Sequence, residues 1–292
     1  MEPTGSPRDS ATIILLRDRA GGGFELFLMR RHRAQTFMAG AHVFPGGSLA
    51  AGDCNPLLVG GFSGAGAQRL LQEPGLSAET AVGLFLAAIR ETFEEAGVLI
   101  ARDASGDMVD LTDPARAARF AVYRRELQEE RLSLEALAEG EGIRYAPDLL
   151  VPYAHWITPT IEPRRFDTRF FLARLPEGQV ALHDSRELTQ SCWLTPADAL
   201  REHAAGRIVL MPPTLVTVAE LAGFSAGGPL VAAARSRRIL PILPEAFRRA
   251  DCFGVLLPND AEYPQNAYRR PPRPGQPSRV VMRDGIWRAE SV

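Results

Sequence analysis

Three carboxylates crowd into five residues of the stretch Arg90-Glu91-Thr92-Phe93-Glu94-Glu95-Ala96-Gly97, directly after the apolar run from Ala81 to Ile89. Ser77 offers an N-cap and Gly97 a stop signal, so the spacing predicts a helix over about 78–96. With Glu91 at zero and about 100° per residue, Glu94 falls near ~300° and Glu95 near ~40°. Val82, Phe85, Leu86, Ile89, Phe93 and Ala96 gather on the far side between about 120° and 220°. One face is acidic and the other apolar, with Leu84 the exception among the acids. A solvated amphipathic helix would show the same pattern, yet like charges at i, i+3 and i+4 repel by a few tenths of a kcal/mol per pair. The acids also occupy the end of the helix where the dipole is already negative. Only Arg90 interleaves them, four residues before Glu94. A divalent cation relieves both costs, because Mg²⁺ or Mn²⁺ takes hard oxygen ligands and two ions can share such a set.

Other chemistries are excluded by composition. All 33 basic residues are arginine, so a Walker phosphate loop, a lysine Schiff base and a Ser-x-x-Lys nucleophile are ruled out. The glycines from Gly60 to Gly66 therefore read as a flexible loop. Cys54, Cys192 and Cys252 are far apart and in no Cys-x-x-Cys pattern, which supports neither a disulfide framework nor a zinc site. A net charge of −2 gives no general attraction to nucleic acid or to an anionic membrane. No apolar run reaches the roughly 18 residues of a membrane span. The start, MEPTGSPRDS, lacks the basic and apolar regions of a signal peptide, and the end, Glu290-Ser291-Val292, lacks a peroxisomal Ser-Lys-Leu address. A cytoplasmic location is expected.

A helix that presents acids needs a scaffold. Residues 11–18 and 24–31 read as two strands joined by Gly21-Gly22-Gly23, and 39–47 as a short extended piece ended by Pro45 and two glycines. An irregular insertion with one short helix occupies about 54–76, and Asp113-Pro114 announces extra helices over about 113–140. Extended segments return over 149–159, 168–175 and toward Trp193, and Thr195-Pro196 opens a further helix. Beyond 206 come short helices, Pro241-Ile242-Leu243-Pro244, a proline-rich loop and a hairpin over 279–287 turning at Asp284-Gly285. Strands that bracket helices predict an α/β (α+β) fold, a mixed sheet between helix layers. The divisions are a polar tail (1–10), a principal domain (11–205) and a C-terminal extension (206–292). The extension is suited to cap the site or to form a homodimer interface.

Phe44-Pro45-Gly46-Gly47, followed by Arg90-Glu91-x-x-Glu94-Glu95-x-Gly97, resembles the Nudix box. In that box a Gly, five residues, a Glu and a spacer of seven precede Arg-Glu-apolar-x-Glu-Glu-x-Gly-apolar. Here Gly47 is followed after five residues by Asp53, and 36 residues separate Asp53 from Arg90. Thr92 stands at a usually apolar position and Val98 closes the motif. The long insertion, with Pro163-Arg164-Arg165-Phe166-Asp167 downstream, is similar to the branch of Nudix hydrolases that includes peroxisomal coenzyme A diphosphatases and bacterial relatives. The resemblance spans roughly residues 11–205.

It implies a Nudix α/β/α sandwich in which Glu91, Glu94 and Glu95 coordinate Mg²⁺ or Mn²⁺, helped by the carbonyl of Gly46 or Gly47. The implied reaction is hydrolysis of a diphosphate linkage in a small nucleoside diphosphate derivative, with coenzyme A or acyl-coenzyme A first among candidates. Arg90 is placed in the catalytic set, holding Glu94. Many Nudix enzymes add an acid from a facing loop; Glu187 is the candidate, as metal ligand or general base, with Asp184 nearby and Glu91 the competing base. Arginine forks suit phosphate oxygens, which marks Arg31, Arg33, Arg164 and Arg165 for substrate binding. Arg31 and Gly40 fit the family's coenzyme A signature, whereas Thr36 stands where that signature has Arg and His32 where it has a small residue. Tyr153, Trp156 and Phe37 are candidates to stack on adenine or to fill the core. His42, His155, His183 and His203 share no metal-ligand spacing. Alternatives are a ligand sensor without turnover, or a hydrolase of ADP-ribose, NADH or sugar nucleotides.

Overall fold

The computed structural model describes residues 5–32, 39–184, 188–250, 252–273 and 275–291. The first part of the chain runs β1 (Arg8–Asp18), β2 (Phe24–Arg31), β3 (His42–Val43), β4 (Gly46–Ser48), α1 (Gly64–Leu71), α2 (Ala78–Ala96), β5 (Ala101–Arg102), α3 (Pro114–Gln128) and α4 (Leu134–Glu141). It continues through β6 (Arg144–Tyr145), β7 (Val151–Ile157), β8 (Phe166–Arg174), β9 (Leu188–Leu194), α5 (Pro196–Ala204), α6 (Pro212–Leu221) and α7 (Gly227–Ser236). Five strands finish it: β10 (Pro241–Ile242), β11 (Glu245–Arg248), β12 (Phe253–Leu256), β13 (Arg279–Arg283) and β14 (Ile286–Glu290). No helix among the described residues is long and apolar enough to cross a membrane.

The main sheet has the order β10-β7-β8-β1-β2-β3, with β4 paired to β1 and β9 to β2. It is mixed, since β1 runs parallel to β8 and antiparallel to β2. One irregularity places the site. The edge of β1 changes partner midway, with Leu16–Asp18 on β2 and Ser10–Thr12 on β4. Beyond that fork Met29 and Arg30 of β2 pair with β3 while β9 follows its other edge, and Phe44-Pro45 leads from β3 into β4.

Both faces of the sheet are covered, which explains why the apolar residues of β1 run without alternation. Ile13, Leu15, Phe27, Met29 and Phe171 pack on one side against Phe85, Ile89 and Phe93 of α2. Ile14, Leu16, Leu26, Leu28 and Leu172 pack on the other against α5, α6, α7 and Val280 of β13. Residues 206–292 therefore share the core of the opposite face. The turn at Asp284-Gly285 has positive φ at both residues, as the sequence predicts. β10 was not anticipated among its prolines; it pairs with β7 at the sheet edge, where a missing N–H is tolerated.

The helix ends agree with the sequence: Ser77 Oγ caps Thr80 N–H, and Gly97 adopts the left-handed conformation. The central turns differ. Ala81 to Ile89 are buried all round, Leu84 included, because the insertion covers the flank that the wheel assigned to solvent. The run from Gly60 to Gly66 also departs from a simple loop. Ser63 caps α1, which begins at Gly64, and a Cβ at Gly64 would meet the Ala78 Cβ at 2.4 Å. That glycine is a helix-crossing contact.

Beyond α1, the insertion is clamped to the sheet by Arg169, which is 4% exposed. Its guanidinium reaches Glu73 through two bonds of 3.0 and 2.6 Å and Asp9 at 2.6 Å, while His155 pairs with Asp167 alongside. Removing one partner of a buried pair leaves the remaining charges uncompensated. Arg169→Met is expected to destabilise the fold by about 3 kcal/mol, read as a lower urea midpoint at unchanged slope.

Candidate active site

The acids are brought to the β1 fork by two close approaches. Phe44 is buried in the opposite-face core and the Pro45 carbonyl accepts from Ile13 N–H at 2.8 Å, which fixes the start of β4. A Cβ on Gly46 would meet the Ala11 carbonyl at 2.5 Å, and one on Gly47 would meet Glu91 Oε1 at 2.2 Å. Glycine is required at both positions for contact, and neither has positive φ. Gly46 N–H donates to Glu95 Oε2 at 2.9 Å. Glu91 and Glu95 thus lie against the glycine strand, in the arrangement the sequence predicts.

Arg90 organises the carboxylates. Its Nε donates to Asp53 Oδ1 at 2.9 Å and its Nη2 to Asp53 Oδ2 at 3.0 Å, a bidentate pair. Nη2 also donates to the Ser48 carbonyl at 2.9 Å, and Nη1 reaches Glu91 Oε1 at 2.9 Å and Glu94 Oε1 at 3.3 Å. Asp53 is 1% exposed and accepts from Ala50 N–H at 2.8 Å. The whole insertion leaves and re-enters between Asp53 and Arg90, so its length is irrelevant to their pairing. This contact pattern makes Arg90 a positioning group, and it adds Asp53, which the sequence showed only as a motif position.

Among the described residues the carboxylates outnumber the guanidiniums here, with Arg90 facing Asp53, Glu91 and Glu94 and Arg124 acting at longer range on Glu95. Burial pushes the Glu91 carboxyl up to about 7, with Glu94 and Asp53 adding to the effect and Arg90 opposing it. Burial likewise raises Glu94. Arg90 stays firmly protonated because Asp53, Glu91 and Glu94 outweigh its own desolvation. Among the described residues no group of three His, Cys, Asp or Glu side chains forms a ready metal cage. The donors are hard oxygens carrying surplus negative charge in a desolvated place, a chemistry that fits an oxygen-seeking divalent cation with open positions.

The unfavourable helix end is compensated from α3. Arg124 donates to the carbonyls of Glu94 at 2.9 Å and Glu95 at 2.7 Å, and Gln128 donates to Glu94 as well. A cation at the last turn opposes the dipole. Neither residue carried a sequence signal, because α3 meets α2 only through the tertiary fold. Arg124 also binds the Leu182 carbonyl at 3.0 Å. Leu182 N–H donates to Ala96 and Asp184 N–H to Glu95, and Leu188 N–H donates to Asp184 Oδ1 at 3.2 Å. Both described flanks of Glu187 are tied to the end of the acid helix; Glu187 itself lies outside the described residues, as do Arg33, Thr36 and Phe37.

The remaining candidates divide. Arg31, at the end of β2, has a buried Nε with no hydrogen-bond partner among the described residues. Arg165 Nε donates to the Thr158 carbonyl at 3.1 Å and Arg164 lies 5.1 Å over the Phe166 ring; among the described residues no bond joins either to the acids. Tyr153 and Trp156 belong to the opposite-face core, so they fill that core and do not stack over the acid face. His183 Nδ1 contacts Ser191 Oγ at 2.9 Å, and burial, with Arg30 adding, lowers His42 to about 4.

A family model described as the NUDT19 Nudix domain matches residues 67–221. The chain is 30% identical to acyl-coenzyme A diphosphatase NUDT19 of Gallus gallus, over 89% of this chain and 80% of that protein. It belongs to the Nudix hydrolase family. The Homo sapiens protein of the same name is 31% identical over 82% of this chain and 72% of its own. Among solved structures, a NUDIX hydrolase from Alicyclobacillus acidocaldarius shares the fold with a TM-score of 0.62, at 24% identity, covering 78% of this chain and 96% of that one. The Nudix box is thus assembled from two distant segments, Gly46–Asp53 and Arg90–Gly97.

Two measurements test this geometry. Asp53→Asn removes the charged partner of Arg90 and is expected to cost about 2 kcal/mol by chemical denaturation, whereas Asp53→Glu retains most of the stability. The second concerns pH. Because the folded-state value of Glu91 lies above its ordinary 4.5, its contribution to stability is complete below that value and is lost as pH rises through about 7. In EDTA, Glu91→Gln should therefore gain stability relative to the native protein across that interval; melting curves that stay parallel at every pH would contradict a desolvated Glu91.

Proposed function

We propose that this Nudix hydrolase cleaves the diphosphate bridge of coenzyme A or an acyl-coenzyme A, giving 3′,5′-ADP and a 4′-phosphopantetheine species. The observation that carries the reading is the buried, charge-unbalanced carboxylate set against Gly46–Gly47. Support for the substrate comes from relatives named acyl-coenzyme A diphosphatase that align with most of this chain.

Glu91, Glu94 and Glu95 would hold Mg²⁺ or Mn²⁺, with the Gly47 carbonyl alongside. Such a cation neutralises diphosphate oxygens and makes a nearby water more acidic. The chain's own residues supply the rest. Gly46 N–H fixes the Glu95 carboxylate, and Arg90 fixes Glu91 and Glu94, so the donors are oriented before substrate arrives. Glu91, raised by burial in the cation-free protein, is the alternative to Glu187 as base, and a bound cation would lower it again. Glu187 remains the candidate for a second acid. The buried Nε of Arg31, unsatisfied among the described residues, supports a role in gripping a phosphate oxygen, and Arg33 follows it in sequence. Arg164 and Arg165 make local contacts that weaken their claim. A cytoplasmic site of action and a homodimer remain part of the proposal.

Glu95→Gln is expected to lower kcat by about 100-fold with a nearly unchanged melting temperature. Arg31→Gln is expected to raise KM by about tenfold at constant kcat, the mark of lost uniform binding. The deciding experiment incubates the protein and Mg²⁺ or Mn²⁺ in ¹⁸O-water with coenzyme A, acyl-coenzyme A, ADP-ribose, NADH and diadenosine polyphosphates. Mass spectrometry then identifies the hydrolysed substrate and the labelled phosphorus. Turnover of ADP-ribose or NADH with coenzyme A left intact would refute the substrate assignment.

A further inference from the structure

On the face of the sheet opposite the acid helix, a cavity of about 940 Å³ opens between β7, α5, α6, α7 and the terminal hairpin. Its wall carries Arg237, Arg238, Arg273 and Arg288 beside one carboxylate, Glu220. That carboxylate is already engaged: it accepts from Arg237 at 3.2 Å and from the Tyr153 hydroxyl at 3.2 Å, while Arg237 stacks 4.3 Å over the Tyr153 ring. Elsewhere some surface arginines are matched, as in Arg17 with Glu25, Arg102 with Asp148 and Arg119 with Glu141, and what sets this wall apart is that four guanidiniums line one concavity with Glu220 the carboxylate among its described lining residues. Arg238, Arg273 and Arg288 have no carboxylate partner among the described residues. A small adjoining hollow adds Arg270. Its guanidinium donates to the Pro241 carbonyl and is held below the usual arginine range by burial and by crowding from Arg273, Arg237 and Arg238.

Like charges gathered around one concavity repel, screened by water at exposed Arg238, Arg273 and Arg288 and more strongly at half-buried Arg237, and an anion with several oxygens offsets that cost. Trp287 adds an aromatic surface to the same wall. We propose that this cavity binds a phosphate-bearing small molecule, its phosphate gripped by Arg238 and Arg273 and its ring or chain lying toward Trp287. The sheet separates it from the acids of α2, so the ligand is a second molecule and not the far end of the hydrolysed one. Any influence on turnover would pass through β7 and β1.

The test uses the full chain in EDTA, where the acid site has no cation to attract phosphate. Adenosine 5′-phosphate and inorganic pyrophosphate are titrated by calorimetry into the native protein, into Arg238→Gln/Arg273→Gln and into Glu91→Gln. Arg238 and Arg273 are exposed, so the double variant should melt as the native protein does. The expected result is binding to the native protein and to Glu91→Gln, weakened at least about tenfold in the double variant. Equal affinity in the double variant, loss in Glu91→Gln, or absence of saturable binding would overturn the site. In steady-state hydrolysis the double variant should keep the native KM. A raised KM would assign the phosphate to the substrate itself and overturn the claim of a second ligand.

Discussion

Arg90 is the counter-charge on which the site depends. Burying several carboxylates at the negative end of a helix is costly, and one guanidinium reaching Asp53, Glu91 and Glu94 together makes it tolerable. Compensation is partial among the described residues, which leaves surplus negative charge on hard oxygen donors. Arg124 and Gln128 offset the helix dipole by donating to backbone carbonyls.

The sheet contributes a fork, and the fork explains the glycines. Where β1 exchanges β2 for β4, the backbone of Gly46 and Gly47 fills the gap and comes within contact distance of Glu91 and Glu95. The insertion sits behind this arrangement. It covers the middle of α2, is pinned by Arg169 to Glu73, and joins the site at Asp53. A segment bounded by a bidentate ion pair can vary in length because its two ends are held by that pair and not by the chain between them.

The extension beyond 206 belongs to the other side of the molecule. It completes the core under β1, β7 and β8, and its arginines face a cavity with little acid to match them. The two charge-rich places therefore have opposite sign and lie on opposite faces. The central sheet is their shared structural element.

Much of this was legible in the chain. Ser77 and Gly97 mark the limits of α2, the wheel puts Glu91, Glu94 and Glu95 on one face, and Asp284-Gly285 marks the last turn, because capping, periodicity and turn chemistry are local. Leu84 shows where local reasoning fails: its position on the wheel is correct, but whether that flank meets water depends on an insertion packed from elsewhere. Asp53, Arg124 and the flanks of Glu187 were likewise hidden, since pairing across 37, 30 or more positions has no periodicity to read. The sequence alone determined which groups could bind a cation, through residue type and spacing along one helix. The tertiary structure decided how far they are desolvated, which arginine restrains them and which is left unmatched, because those properties depend on what the chain brings beside them.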